Sequence, residues 1–163
     1  MSDSSPARIS LKPIATVRTN RDVIRDDFWG GVESVIEFDE YFPPEALKGL
    51  DTFSHIEVVY HFDRLSEHQA HTGARHPRNR KDWPLTGIFA QRAKSRPNRL
   101  GVSRCRVISV QGRRLTVADL DALDGTPVLD VKPWIKEFGP RGETRQPAWC
   151  SELMKDYYSS NQD

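Results

Sequence analysis

The chain of 163 residues contains little cysteine and no long hydrophobic run. Its two cysteines, Cys105 and Cys150, stand far apart, which argues against a disulfide framework and against a zinc site built on cysteine. No apolar stretch reaches membrane-spanning length, and the N-terminal residues lack the apolar segment of a secretory signal. We therefore expect a cytoplasmic protein with both cysteines reduced.

Glycine is missing where a nucleotide-binding α/β fold would need it. A Rossmann-type site requires a strand, a glycine-rich turn and a helix, but the paired glycines Gly30 and Gly31 precede a strand pattern instead. Any nucleotide must therefore be held by a different architecture. Hydrophobic residues at 37% and charged residues at 29% are typical of a single soluble domain with a modest core.

Strand patterns outnumber helix patterns along the chain. The clearest covers residues 54–62, where Ile56, Val58, Tyr60 and Phe62 alternate with more polar positions. Further strands are predicted at residues 9–18, 32–38, 85–90, 102–110, 114–118 and 128–131, with one helical turn at 43–49 and a helix at 148–158. This succession predicts a mainly β protein, a small and mostly antiparallel β-barrel with short helical segments and a C-terminal helix.

Charge is unevenly distributed although the net charge is +1. Residues 75–99 are strongly basic, whereas four aspartates follow at residues 119–130. A zwitterionic or cationic ligand beside an anionic polymer would suit this arrangement. The preceding polar stretch also contains His68, His71 and His76, whose spacing matches no established metal-ligand pattern, so we expect no metal site there.

Two segments, residues 87–103 and 119–132, contain the most informative motifs. The first includes Arg96-Pro97-Asn98 and the second Asp124-Gly125-Thr126-Pro127, and each alone is typical of a turn. Together, their order and spacing closely resemble the TsaA-like (YaeB/TrmO) family, whose usual forms read Ala-Thr-Arg-Ser-x-x-Arg-Pro-Asn-Pro-Ile-Gly and Leu-Asp-x-x-Asp-Gly-Thr-Pro-Val-x-Asp-x-Lys-Pro. Residues 13–18, 50–55 and 76–80 also look like family segments, so the resemblance extends over roughly residues 9–138.

The resemblance implies a β-barrel that binds S-adenosylmethionine as a homodimer. The best-characterised members of the family N6-methylate the threonylcarbamoyladenosine beside the tRNA anticodon. On this basis we expect a flexible N-terminus at residues 1–8, the barrel domain at 9–140, and a C-terminal helix and tail at 141–163. Longer members carry an additional C-terminal domain.

Carried over position by position, the resemblance also implies a set of cofactor contacts. These are Phe28, Trp29, Gly30, Asp63, Arg64, Arg92, Val102, Leu120, Asp121, Ala122 and Leu123. The sequence departs from the family at three places in this region. Phe28-Trp29-Gly30 replaces Pro-Arg-Gln, Ala90-Gln91-Arg92-Ala93-Lys94 replaces the usual Ala-Thr-Arg-Ser, and Arg99 stands where the family has the proline after Arg-Pro-Asn.

Methyl transfer from a sulfonium is an in-line displacement, so holding donor and acceptor in line supplies much of the rate. Asp121 or Asp124 could take the proton that an adenosine N6 loses, although aspartates in such turns also act as caps or pair with arginines. The predicted RNA-binding residues are Arg75, Arg78, Arg80, Lys94, Arg96 and Arg99, which would neutralise tRNA phosphates unless this loop is merely solvated. Two alternatives stay open, a module that binds the cofactor without this reaction and a methyltransferase with a small-molecule acceptor.

Overall fold

The computed structural model describes residues 6–160 and has a closed β-barrel at its centre. Its strands, in chain order, are β1 (Ala15–Arg18), β2 (Glu33–Phe38), β3 (His55–His61), β4 (Ala74–Arg75), β5 (Thr86–Gly87), β6 (Leu100–Gln111), β7 (Arg114–Ala118) and β8 (Pro127–Pro133). Within the described residues the barrel runs in the order β1-β2-β7-β6-β3-β8, and β4 and β5 pair separately. Every pairing is antiparallel, and β1 pairs with β8 to close the barrel. The predicted antiparallel barrel is therefore confirmed.

Closure of the barrel pairs the backbone of each of its six strands on both sides, so the barrel has no open sheet edge.

Residues 1–5 of the predicted flexible N-terminus and residues 161–163 of the predicted tail lie outside the described residues. None of the helices in the described residues is both long enough and apolar enough to cross a membrane.

The core of the barrel follows the alternation seen in the sequence. Ile56, Val58 and Tyr60 of β3 are almost completely buried, because successive side chains of a strand point to opposite faces. Leu120 and Ala122, from the segment between β7 and β8, are buried in the same cluster. Burying a side chain of the size of Leu120 contributes about 1.5–3 kcal/mol, so the segment that carries the aspartate motif is anchored in the core by its apolar members.

Helical structure is confined to short elements, with 3-10 helices and one α-helix of six residues, α1 (Ala148–Leu153), in the described residues. The 3-10 helices are Pro44–Leu47, Leu50–Thr52, Glu67–Gln69, Pro77–Asn79, Ile88–Ala90 and Lys136–Phe138. The predicted C-terminal helix at residues 148–158 is present but ends earlier. Its last residues leave the helix, and the carbonyls of Asp156 and Tyr157 accept hydrogen bonds from the amides of Phe28 and Trp29 instead.

Two predicted strands differ from the observed strands by more than two residues at one end. The strand predicted at residues 9–18 begins at Ala15. The strand predicted at residues 85–90 was wrong beyond its first residues, because β5 ends at Gly87 and a 3-10 helix follows. The amide of Gln91 closes that turn on the carbonyl of Ile88, which takes the chain away from the strand direction.

Candidate functional site

A cleft of about 1850 Å³ lies beside the barrel, where several loops converge. Its walls come mainly from parts of seven segments, namely residues 24–31, 60–65 at the end of β3, 69–79, 89–96, 100–103, 119–126 and 146–160. Both motif segments identified in the sequence therefore contribute to one cleft. Pairing of β6 with β3 and burial of residues 120 and 122 in the core hold the two segments on the same side of the barrel.

Most of the predicted cofactor contacts line this cleft. They are Trp29, Gly30, Asp63, Arg64, Arg92, Val102, Asp121, Ala122 and Leu123. Phe28 and Leu120 do not belong to the lining. Leu120 is fully buried in the barrel core, and Phe28 lies next to the lining residue Trp29 with a backbone φ of 67°.

Asp121 has the most specific environment in the cleft. Its Oδ1 accepts a hydrogen bond of 2.9 Å from the hydroxyl of Tyr60, and its Oδ2 accepts one from the hydroxyl of Tyr157. Burial raises the pKa of both tyrosines, and the nearby Asp121 carboxylate raises it further. Both phenols therefore stay protonated at neutral pH and act as donors to the carboxylate.

Asp124, the other proposed base, is placed differently. Its Oδ1 accepts a hydrogen bond of 3.1 Å from the amide of Thr19, and its backbone carbonyl accepts one of 2.9 Å from Arg64. Asp124 is not among the residues that line the cleft. The structure thus separates the two aspartates, with Asp121 in the cleft and Asp124 joining neighbouring loops.

The two predicted cofactor arginines brace the walls of the cleft. The guanidinium of Arg64 donates to the backbone carbonyls of Asp22 and Asp124. The guanidinium of Arg92 donates to the carbonyl of Val102 at 2.8 Å. Because a guanidinium has five N–H donors, each arginine retains capacity for a ligand.

The C-terminal residues 147–160, which we call the C-terminal segment, form one wall of the cleft. Its backbone meets the loop at residues 28–30 through hydrogen bonds from Phe28 to the carbonyl of Asp156 (3.1 Å) and from Trp29 to that of Tyr157 (2.8 Å). A Cβ at Gly30 would lie 1.9 Å from the carbonyl oxygen of Tyr158. Glycine at position 30 is therefore required for these two backbone segments to pass this closely.

A second set of contacts docks the other end of the C-terminal segment. The indole of Trp83 donates a hydrogen bond of 2.7 Å to Glu152, and its ring lies 6.2 Å from that of Trp149. Trp83 is buried. The C-terminal segment is thus attached to Trp83 at one end and to the loop at residues 28–30 at the other.

Four of the six predicted RNA-binding residues line the cleft, namely Arg75, Arg78, Lys94 and Arg96. Several of their groups also have partners within the protein. Arg78 forms a two-point ion pair with Asp27 at 2.7 and 2.9 Å, and Lys94 lies 3.7 Å from Asp26.

Arg75 and Arg96 support the loop that precedes β6. Arg75 donates to the hydroxyl of Ser95 at 2.9 Å, and Arg96 donates to the carbonyl of Gln91 at 2.7 Å. Their side chains therefore order this loop. Both still face the cleft.

Arg80 and Arg99 do not line the cleft. Arg80 pairs with Asp82 and lies over the ring of Trp83. Arg99 donates to the carbonyl of Leu65, and its side chain is only 15% exposed. Its backbone φ is 51°, a left-handed value that a proline ring forbids, so proline is incompatible with this turn as it is folded here.

The three histidines of the residue 66–76 stretch do not form a cluster. The Nδ1 of His76 lies 2.7 Å from the carbonyl oxygen of Trp83, whereas His71 lines the cleft. Across residues 6–160, no three His, Cys, Asp or Glu side chains come together in a way that could hold a metal ion.

Sequence reasoning missed Tyr60, Tyr157 and Tyr158 as members of the cleft. The alternation of β3 placed Tyr60 in the core, which is correct, but its hydroxyl also reaches Asp121. Tyr157 fell within the predicted helix at residues 148–158. A hydroxyl on an otherwise apolar pattern was the available signal, since a buried tyrosine hydroxyl usually has a partner.

A small closed barrel with an arginine-rich cleft at its side defines a ligand-binding β-barrel domain. The chain belongs to the family of the tRNA-methyltransferase O N-terminal domain, whose model matches residues 24–139. The C-terminal segment lies beyond the matched residues.

Individual relatives agree with this assignment. The chain is 39% identical over 155 residues to a probable S-adenosyl-L-methionine-binding protein of Pyrococcus abyssi, covering 86% of this chain and 76% of that protein. It is 29% identical over 119 residues to the human tRNA (adenine(37)-N6)-methyltransferase, covering 73% of this chain and 26% of that protein.

Solved structures show the same fold. The crystal structure of TrmO from Pseudomonas aeruginosa superposes with a TM-score of 0.72 at 25% identity, covering 90% of this chain and 64% of that chain. The present chain thus spans about a quarter of the human relative and just under two thirds of the bacterial structure.

Proposed function

We propose that this protein is an S-adenosylmethionine-dependent methyltransferase that N6-methylates an adenosine of tRNA. The observation that carries the proposal is the Asp121 carboxylate, which faces a cleft built by both family motifs. Support also comes from relatives named as S-adenosyl-L-methionine-binding proteins and as tRNA (adenine(37)-N6)-methyltransferases.

The residues of the cleft suit this cofactor. S-adenosylmethionine carries a positive sulfonium, and a carboxylate is the side chain that best complements a cation. Arg92 and Arg64 can meet a carboxylate of the ligand. A cleft of about 1850 Å³ also exceeds the usual 300–1,000 Å³ of a small-molecule site, which leaves room for an acceptor nucleotide beside the donor.

The bound cofactor would supply an electrophilic methyl group. The protein's part is to hold the acceptor nitrogen in line with that group and to keep water away from it. Asp121 is the carboxylate that the cleft offers, either as the partner of a cation or as the acceptor of the proton lost from N6. Asp124 is held by Thr19 outside the lining.

We further propose that the acceptor is threonylcarbamoyladenosine beside the anticodon and that the protein works as a homodimer in the cytoplasm. Arg75, Lys94 and Arg96 at the cleft would contact the phosphates of the anticodon arm. The mass in solution tests the dimer directly, and a monomer at working concentration would refute it.

The test is methyl transfer from labelled S-adenosylmethionine to bulk tRNA, followed by nucleoside mass spectrometry. We expect label in an N6-methylated threonylcarbamoyladenosine. Substrate tRNA that lacks the threonylcarbamoyl group is the control, and it should accept no label. Label in another nucleoside would refute the acceptor, and no label in any tRNA would refute the tRNA methyltransferase.

A small-molecule acceptor is the second candidate. It is favoured because several basic residues of the cleft already have partners within the protein, which leaves fewer of their donors for phosphates. Arg78 pairs with Asp27, and Arg96 donates to the carbonyl of Gln91. Salt dependence separates the two candidates. Binding through several phosphates weakens steeply with added salt, whereas a small neutral acceptor responds little.

A further inference from the structure

The C-terminal segment contributes a side chain to the centre of the cleft, although it lies outside the family match at residues 24–139. Tyr157 reaches 36 positions back along the chain to Asp121. Its own backbone carbonyl is held by the amide of Trp29. The hydroxyl of Tyr157 is therefore placed by the docking of the whole segment.

Asp121 is held from two sides by tyrosines on different elements. Tyr60, on β3, donates to Oδ1 and Tyr157 donates to Oδ2. Two donors on opposite oxygens restrict rotation of the carboxylate about its χ2 torsion. Each oxygen has a second lone pair, so the carboxylate can still accept an interaction from the cleft.

The two hydroxyls also determine what this carboxylate can do. Each hydroxyl donates to one oxygen of the carboxylate, so both oxygens already accept a hydrogen bond before any ligand binds. The raised pKa values of both tyrosines keep these donors protonated. The arrangement suits neutralisation of a cation better than removal of a proton.

We propose that Tyr157 is a positioning residue that holds Asp121 as an oriented anion, so that the cleft prefers a positively charged nucleoside sulfonium to its neutral thioether product. This inference rests on the proposed function, because it assumes that the cleft binds S-adenosylmethionine. It deepens that function by assigning the selection of substrate over product to the pair Asp121 and Tyr157.

The test compares the dissociation constants of S-adenosylmethionine and S-adenosylhomocysteine, measured by titration calorimetry on the full chain. The two ligands share the adenosine and amino-acid parts and differ only at the sulfur, which carries a methyl group and a positive charge in S-adenosylmethionine. The ratio of their dissociation constants therefore measures how strongly the cleft recognises the charged sulfur. We expect the wild type to favour S-adenosylmethionine by about 10-fold or more. Tyr157→Phe should lower this preference about 5-fold, because a hydrogen bond to a charged group is lost.

Two further variants separate positioning from a structural effect. Asp121→Asn removes the charge and should abolish the preference, and Tyr157→Phe in that background should leave the ratio unchanged. Tyr41→Phe, an exposed tyrosine outside the cleft, is the matched control and should retain the wild-type ratio. A merely structural role of Tyr157 would weaken both ligands equally and would leave the ratio as it was.

Each outcome decides a separate statement. If the wild type binds neither ligand, the proposed function fails. If it binds both equally, or if Asp121→Asn keeps the preference, the charge selection by Asp121 is overturned. If Asp121→Asn loses the preference while Tyr157→Phe keeps it, the positioning role of Tyr157 is overturned.

Discussion

Gly30→Ala is expected to move the end of the C-terminal segment away from the loop at residues 28–30. The new Cβ would lie 1.9 Å from the carbonyl oxygen of Tyr158 and 2.7 Å from its carbonyl carbon. These are backbone atoms, which cannot rotate away as the end of a flexible side chain does. The segment must therefore move, and the hydrogen bonds from Phe28 and Trp29 to it must lengthen or break.

The magnitude follows from those two backbone hydrogen bonds. At about 0.5–1.5 kcal/mol each, their loss lowers the free energy of unfolding by about 1–3 kcal/mol. For a domain of this size, about 2–4 °C of melting temperature corresponds to 1 kcal/mol. We therefore expect the melting temperature of Gly30→Ala to fall by about 2–12 °C.

Thermal unfolding followed by circular dichroism measures the loss, and hydrogen exchange locates it. The amides of Phe28 and Trp29 should exchange faster in Gly30→Ala while amides of β3 keep their protection. Gly73→Ala is the matched control, because its Cβ would meet nothing within 4 Å. Unchanged melting together with unchanged exchange at these two amides would refute the close packing of the segment on the loop.

Three other changes test separate parts of the structure. Arg78→Ala removes the half-buried ion pair with Asp27 and should lower the free energy of unfolding by about 1–3 kcal/mol in denaturant titration. Gly101→Ala places a Cβ 2.4 Å from the buried ring of Tyr60 and should lower the free energy of unfolding by about 1–3 kcal/mol through overpacking. It should also weaken ligand binding, because the Tyr60 hydroxyl that donates to Asp121 shifts. Burial raises the pKa of the Cys105 thiol from 9.0 to about 12. Between pH 9 and pH 12 the thiol therefore loses its proton in the unfolded chain but not in the folded one. The free energy of unfolding should be unaffected by this thiol below pH 9 and should fall by up to about 1.4 kcal/mol per pH unit above it.

These three predictions have their own controls. Arg80→Ala breaks an exposed ion pair with Asp82 and should lower the free energy of unfolding much less than Arg78→Ala does; an equal loss in both arginine variants would contradict the first prediction. Gly87→Ala meets open space and should bind ligand as the wild type does, so equal weakening would contradict the second. The third is contradicted if Cys105→Ala shows the same loss of stability above pH 9 as the wild type.

Much of the fold was predictable because its signals are local. Alternation over residues 54–62 and 114–118 predicted β3 and β7 nearly to the residue, since strand periodicity depends on neighbouring positions alone. The strand predicted at residues 85–90 failed because a turn hydrogen bond from Gln91 to Ile88 decides that segment. The helix at 148–158 was overextended because contacts with the distant residue 28–30 loop end it.

The two motif segments, at residues 87–103 and 119–132, were recognisable from the sequence alone because the family pattern is written in residue types and spacing. The set of residues that line the cleft could not be recognised from the sequence, since it depends on contacts between positions far apart in the chain. Tyr60 and Tyr157 meet at Asp121 across 61 and 36 positions, and neither separation leaves a periodic trace. Closure of the barrel and the return of the C-terminal segment bring these three side chains together, so the tertiary structure alone decided which aspartate faces the cleft and what holds it there.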